Sequence, residues 1–425
     1  MGLRHWVGVG MLALLAACAT KGPEQKQKPA EKKDIISQPL QVPALGDIKD
    51  TAERPLKGRF QAVTWGALPG WQEDDLQNIW QGLITNCKGL MRPISGGLHH
   101  PARATPKDWQ PVCAAAQRSG LNERSGAAQV RSFLEEHLQP WRLMDENNQI
   151  ARNTVTGYYE PVIEAAPHKQ SGYSWPLYAV PDDLLTVDLG GLYPELAGKR
   201  IRGKLDGDRV VPYDTRAEIA ANPERQPKAL VWAKDPVEAF FLQIQGSGRA
   251  RFENGQSIRL AYANHNGHPY TSIGKWLADR GEIPLEQASM QNIKQWAQRN
   301  PDRVQEMLNA NEAMVFFVTE TITDENLGPK GAYGIPLLAE RSIAVDPEFV
   351  PLGSLVYMAS THPGSGQPLR QVVFAQDTGA AIKGAARMDF YWGSGEQAGA
   401  LAGKMKQPGE LWVLWPKQAG TPTAR

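Results

Sequence analysis

The sequence predicts a mainly β protein with accessory helices, arranged as barrel-like domains behind an N-terminal tether. Three observations carry this reading. From Asn153 onward the chain is a series of short apolar runs broken by Gly and Pro, the pattern of a barrel or sandwich. Strands and helices do not alternate regularly, which argues against a doubly wound parallel sheet. About 370 residues follow the tether, too many for most single cores and suited to two.

Arg4 and His5 precede an apolar run through Met11, Leu12, Leu14 and Leu15, the layout of a secretory signal and too short to span a bilayer comfortably. The run ends in Leu15-Ala16-Ala17-Cys18, which resembles the lipobox of bacterial lipoproteins. Residues 1–17 then read as a signal peptide and Cys18 as a lipidated first residue; an ordinary signal with an incidental cysteine is the alternative. Ala19 follows Cys18, and without an aspartate there the resemblance points to the outer membrane. Residues 18–56 are rich in Lys, Gln, Glu and Pro with few large apolar side chains, so they read as a disordered tether. A net charge of +1 gives no reason to expect nucleic acid as a partner.

Cys87 and Cys113 are the other cysteines. In an exported chain the pair reads as a disulfide contributing about 2 to 4 kcal/mol, with two free buried thiols as the alternative. His265 and His268 sit in a Gly and Asn turn without a helical glutamate, so no zinc site is expected. Gln245-Gly-Ser-Gly248 lacks the third glycine of a dinucleotide fingerprint. No cofactor is expected.

Gln72–Ile84 and Ala127–Trp141 place Leu76, Ile79, Trp80, Leu83, and Val130, Phe133, Leu134, Leu138 at helical spacing; Trp80 and Trp141 read as core residues. Strands are expected at 154–161, 177–180, 210–213, 229–232, 240–245 and 257–262, helices at 272–280 and 290–300. The β pattern resumes at 315–318, 343–345, 354–357, 371–374 and 411–415. Read from these runs alone, the two barrels follow one another in sequence, the second in the last hundred or so residues.

The stretch that organises the rest is Phe374 to Gly393. An apolar strand runs into a glycine-punctuated loop holding Asp377, and an aromatic strand follows Asp389. Two carboxylates thus flank one loop anchored in a core. Burial of that kind raises a carboxyl pKa and makes it a usable proton donor.

Here the chain resembles a known family. Val345-Asp346-Pro347, Asp377-Thr-Gly with Ile382-Lys-Gly384, and Met388-Asp389-Phe-Tyr391 look like the three-aspartate module. With Thr156-Gly-Tyr-Tyr-Glu-Pro161, Phe241 to Gly248, Pro269 to Gly274 and Asn311 to Phe317, the match is to the family of membrane-bound lytic murein transglycosylase A, over roughly residues 56 to 416. Ala380 stands where that family usually has the second of two glycines, and the loop is a residue longer than in some relatives.

The resemblance implies cleavage of the β-1,4 bond between N-acetylmuramic acid and N-acetylglucosamine in peptidoglycan, ending in a 1,6-anhydro sugar. With the sugar's own C6 hydroxyl as nucleophile, one carboxylic acid serves as acid and then as base, where ordinary hydrolysis needs two. That acid matches Asp389, whose neighbours Met388, Phe390, Tyr391 and Trp392 also favour a neutral carboxyl. Asp377 is then a supporting or substrate-polarising group, and Asp346 a turn or structural acid. Thr156, Tyr158, Tyr159, Gln245, Gly246 and Ser247 become substrate contacts. The implied fold is a double-psi β-barrel made of residues 57–160 and 306–416, a smaller β-barrel inserted at 161–305, a glycan groove between them, and a tail at 417–425. The implied place is the periplasmic face of the outer membrane. An aspartic protease would share Asp377-Thr-Gly but needs a second such copy or a dimer, and a binding-only lipoprotein would share every groove feature.

Overall fold

The computed structural model describes residues 37–49, 53–92, 101–145, 147–193, 196 and 201–424; the signal peptide and Cys18 lie outside them. Among the described residues the order is β1 (Arg59–Ala62), α1 (Ile79–Met91), α2 (Pro106–Arg118), α3 (Ala127–His137), β2 (Leu138–Met144), β3 (Asn153–Glu160), β4 (Val162–Ala166), β5 (Trp175–Tyr178), β6 (Leu185–Val187), β7 (Ile201–Asp206), β8 (Arg209–Val211) and α4 (Arg216–Ala221). There follow β9 (Ala229–Ala233), α5 (Pro236–Gln245), β10 (Gly248–Arg251), β11 (Ser257–His265), α6 (Ile273–Asp279), α7 (Met290–Arg299), α8 (Val304–Asn309) and β12 (Val315–Thr321). The last part holds β13 (Ser342–Val345), β14 (Leu355–Thr361), β15 (Pro368–Asp377), β16 (Met388–Ser394), α9 (Gly395–Ala402) and β17 (Lys406–Pro416).

Six strands close on themselves in the order β17, β14, β15, β13, β16, β3, with β3 returning to β17 and with β2 and β1 continuing outward from β17. β13 with β15 and β16 with β3 are parallel pairs. The strand pattern groups β3 with the middle of the chain, but its hydrogen bonds place it between β16 and β17. Pairing partners that distant in sequence leave no local signal.

A second sheet runs β12, β11, β10, β4, β9, β5, and a bridge from Ala179 to Phe317 brings its two edges together. Strand β12 pairs with β11, and Val304, Met307 and Leu308 of α8 share one buried cluster with residues of α6 and α7. A boundary at 306 is therefore too early: both elements pack with the middle of the chain. A small sheet of β6, β7 and β8 stands apart.

Several local expectations change for physical reasons. The first helix starts at Ile79 instead of Gln72 because Leu76 and Asn78 adopt φ of +54° and +63°, which interrupts the helix. The next stops at His137, and Leu138–Met144, carrying Pro140, pairs with β1 and β17 as strand β2. Residues 240–245 are helical, not extended: Asp235 caps α5 by accepting from Val237 N and Glu238 N at 2.9 and 3.0 Å, with Pro236 in the first turn. The tether reading fails for residues 37–49. Leu40 is buried, and the Leu40 and Pro43 carbonyls accept from Gln117 and Gln110 of α2. Its few apolar residues are enough to hold it there.

The barrel core is continuous with the helices around it. Leu83 and Cys87 of α1, Trp109 and Cys113 of α2, and Val373, Phe374, Trp412 and Trp415 of the strands belong to one buried cluster. Cys87 and Cys113 join α1 to α2 through a disulfide, S–S 2.06 Å.

Candidate active site

Four neighbouring strands frame the two candidate carboxylates. Ala344 of β13 stands opposite Asp377 of β15 on one side and Asp389 of β16 on the other, and Asp389 in turn stands opposite Thr156 of β3. Asp377 is the last residue of β15 and Asp389 the second of β16, so the loop between them starts and ends on barrel strands. Burial of Val372–Ala375 and of Phe390–Trp392 anchors those strands. Gly157 lies between Thr156 and Tyr158, where a Cβ would meet Trp392 Nε1 at 2.7 Å and the Ala402 backbone at 2.8 Å. Its lack of a side chain lets β3 lie close to both.

Thr156 and Tyr158, two residues apart, use the same face of β3. Thr156 Oγ1 donates to Asp389 Oδ1 at 2.6 Å, and Tyr158 OH donates to Asp377 Oδ2 at 3.1 Å. Asp377 Oδ1 also accepts from the Ala332 and Thr378 amides, each at 2.9 Å. Each carboxylate therefore has its own donors.

Protein atoms crowd both carboxyl groups and strip them of water. That desolvation raises Asp389 from its ordinary value of 3.8 to about 6, against the lowering effects of the Thr156 hydrogen bond and the Arg387 charge, with Asp377 adding repulsion. Asp377 is raised by desolvation too, opposed by its three donors. The Tyr158 phenol is pushed well above its usual range, first by burial and then by the two carboxylates, so it stays a hydrogen-bond donor. A carboxyl near 6 is protonated in a useful fraction at mildly acidic to neutral pH and is still a competent base once ionised.

Asp346 is buried, and its hydrogen bonds go to backbone amides. Its Oδ2 accepts from Gly384 N at 2.8 Å and its Oδ1 from Glu348 N at 3.2 Å, so it pins the loop that leads into β16. Gln245 Oε1 accepts from Tyr159 N at 3.2 Å, which brings the end of α5 against β3. Gly246 follows as the left-handed residue that ends α5, φ +79°, and Ser247 leads into β10. Gln245 thus ends a helix, and Gly246 and Ser247 connect that helix to β10.

Sequence reasoning missed Arg387 and the buried Glu160. Arg387 Nη2 donates to Thr156 Oγ1 at 2.9 Å. Its place two residues before Asp389 was the available signal. Glu160, at the end of β3, accepts from Arg249 Nε at 2.8 Å, Arg259 Nε at 2.6 Å and Ser394 Oγ at 2.8 Å. The polar partners of a fully buried glutamate have no sequence signature. Among the described residues no group of three or more His, Cys, Asp or Glu side chains is arranged to hold a metal.

These residues fall within segments of the chain that match known proteins. The model of the MltA specific insert domain matches residues 154–318, and that of the 3D domain matches residues 341–415. The membrane-bound lytic murein transglycosylase A of Escherichia coli (strain K12) is 31% identical over 346 residues, which are 78% of this chain and 85% of that one. The monoclinic crystal structure of MltA from Neisseria gonorrhoeae superposes with a TM-score of 0.75 at 33% identity, covering 91% of this chain and 99% of the other. The structure of E. coli MltA with bound chitohexaose gives a TM-score of 0.58 at 25% identity, covering 87% and 97%.

Proposed function

The chain belongs to the family of membrane-bound lytic murein transglycosylase A, and on that premise we propose Asp389 as the residue through which it cleaves peptidoglycan. The enzyme is a lytic transglycosylase: it breaks the β-1,4 bond between N-acetylmuramic acid and N-acetylglucosamine and leaves a 1,6-anhydro end. The observation that carries the assignment is the desolvated Asp389 carboxyl, held at about 6 and fixed by Thr156 on a barrel strand.

The steps balance with one acid. Protonated Asp389 gives its proton to the glycosidic oxygen as the muramyl C1–O bond breaks, and the N-acetylglucosamine unit leaves as an alcohol. The C6 hydroxyl of the muramyl residue then bonds to C1, and its proton returns to the Asp389 carboxylate. No water enters and the carboxyl ends as it began. Proton transfer of this kind supplies about 10² to 10⁴ in rate, and placement of the sugar supplies much of the rest.

Tyr158 and Asp377 support this site: their hydrogen bond holds a neutral phenol beside the reacting carboxyl. Thr156, Tyr158, Gln245, Gly246 and Ser247 form the wall against which the glycan lies, a reading supported by the contact of Gln245 with the Tyr159 amide, whereas the Tyr159 side chain takes the other face of β3, beside Gly399 of α9 and Met290. A protease dyad is disfavoured because Asp377 and Asp389 are satisfied by separate donors instead of sharing a proton. The enzyme is membrane-associated, and the proposed anchor is a lipid on Cys18 at the periplasmic face of the outer membrane. Cys18→Ala protein recovered in the membrane fraction would argue against that anchor.

Digestion of purified murein sacculi with products read by mass spectrometry tests the assignment. Wild type is expected to release anhydro muropeptides, and folded Asp389→Asn to release them at least about 10³-fold more slowly. Wild-type rates from Asp389→Asn would remove Asp389 from the role. Products carrying an added water would indicate hydrolysis, and sacculi bound but uncut by wild type would indicate a binding protein.

A further inference from the structure

We propose that Arg387 is a positioning residue which, through Thr156, fixes the oxygen of Asp389 that carries the exchangeable proton; this rests on Asp389 being the acid. A threonine hydroxyl has a single hydrogen. Arg387 Nη2 donates to Thr156 Oγ1 at 2.9 Å, and a guanidinium has no acceptor to offer in return. The Thr156 hydrogen is therefore free to point at one place, Asp389 Oδ1, 2.6 Å away. An Oδ1 that accepts that hydrogen is the less favourable place for the acid's own proton, because a carboxyl oxygen that bears a hydrogen is a weaker acceptor than the carbonyl oxygen. The exchangeable proton is thus assigned to Oδ2.

Arg387 is itself firmly held. Its Nη1 donates to the Thr154 carbonyl at 3.0 Å and to the Met388 carbonyl, so the guanidinium bridges β3 and the start of β16. The loop before it is tied at three points: Gly384 N to Asp346 Oδ2 at 2.8 Å, Asn153 Nδ2 to the Ala385 carbonyl at 3.0 Å, and Arg387 N to the Gly384 carbonyl at 3.3 Å. Ala386, immediately before Arg387, is buried and adopts φ +55°, a conformation that a non-glycine residue keeps only where its surroundings enforce it. Asp346 thereby gains a function as well, since it anchors the loop that aims Arg387.

The charged and titratable groups that face Asp389 are Arg387 from the loop, Asp377 from β15 and Tyr158 from β3, while β13 presents Ala344. Arg387 is the one cation in this set and acts against desolvation. Its removal leaves the ionised carboxyl less stabilised, so the acid keeps its proton to higher pH.

The test is steady-state cleavage of solubilised glycan strands by the full chain as a function of pH, for Arg387→Met and Arg387→Lys beside wild type and Asp389→Asn. Arg387→Met is expected to lose about tenfold in kcat with KM within about twofold, and to move the alkaline limb of the kcat profile up by about one pH unit. Arg387→Lys, which keeps a donor and a charge, is expected to restore most of both. Wild-type kcat and an unmoved limb in Arg387→Met would overturn the proposal. So would an equal loss in both variants with the limb unmoved, which marks a packing role only. Should Arg387→Met fail to fold, Arg387→Gln decides by the same limb. An active Asp389→Asn would instead overturn the acid assignment itself, whereas an inactive one beside an unaffected Arg387→Met overturns the role of Arg387 alone.

Discussion

Thr156 and Asp389, 233 residues apart in sequence, face each other across the parallel pair of β3 and β16 with Oγ1 2.6 Å from Oδ1. That hydrogen bond favours the ionised carboxylate and lowers the Asp389 pKa against desolvation. Thr156→Val keeps the shape and removes the donor. The Asp389 pKa then rises above about 6, and the alkaline limb of the kcat profile shifts to higher pH. The expected loss in kcat at the wild-type optimum is about tenfold, and Thr156→Ser is expected to recover most of it.

The same desolvation makes a prediction about stability. In the unfolded chain Asp389 titrates near its ordinary 3.8 and in the folded chain near about 6. Between those values the native state binds more protons, so this group's contribution to stability falls as pH rises, and the full cost is in place above about 6. Two pH units correspond to about 3 kcal/mol as an upper bound. Asp389→Asn is expected to match wild type in urea midpoint near pH 3.5 and to exceed it at pH 7.5. A less stable variant at pH 7.5 would mean that the carboxyl is not held against a desolvation cost.

How far the sequence reveals this arrangement depends on range. The stretch from Phe374 to Gly393 is legible because its signals are local: apolar runs, a glycine-rich turn and two acids within a few residues of strand ends. The Asp235 cap and Pro236 are local too, and they mark α5, which a strand reading of 240–245 passes over. What stays hidden is pairing. Nothing near Thr156 says that β3 lies beside β16, nor that Arg387 reaches Thr154 and Thr156. Those contacts come from barrel closure, and the resemblance to a family could name the residues without supplying their partners.

Asp74 anchors the segment before α1 to the barrel. Its Oδ1 accepts from Arg341 Nη1 at 3.0 Å and from Leu76 N at 3.1 Å, and its Oδ2 from Val372 N at 2.7 Å. Both members of the ion pair are buried. Asp74→Ala leaves the buried Arg341 with the exposed Asp75, 2.7 Å from its Nη2, and the Val372 carbonyl as partners, and the expected cost is about 3 kcal/mol in urea unfolding. Asp74→Ala with Arg341→Met is expected to be less damaging than Asp74→Ala alone.

The Cys87–Cys113 disulfide closes a loop with a sequence separation of 26. Chain entropy assigns such a closure about 3 kcal/mol. Reductant is expected to lower the urea midpoint of wild type and to leave that of Cys87→Ala with Cys113→Ala unchanged. A midpoint that reductant does not move in wild type would mean that the bond adds nothing to stability.

Glu160 joins the two large sheets beside the active site. It ends β3, the strand of Thr156 and Tyr158, and its hydroxyl partner Ser394 ends β16, the strand of Asp389. Its other partners come from the second sheet: Arg249 of β10 at 2.8 Å and Arg259 of β11 at 2.6 Å. Arg259 also donates to the Leu327 carbonyl at 2.6 Å, and Arg249 pairs with Glu325. The carboxylate is fully buried, so its desolvation is offset only while both guanidinium groups remain. Glu160→Gln leaves Arg249 with Glu325 and takes from Arg259 its carboxylate partner, and it is expected to cost about 3 kcal/mol. Adding Arg259→Met removes the cation that lost its carboxylate. The double variant is therefore expected to be more stable than the sum of the single changes, by about 1 to 3 kcal/mol of coupling in urea unfolding. Additive losses would mean that the apolar clusters alone hold the sheets together, and that the alignment of β3 with β16 does not depend on this charge network.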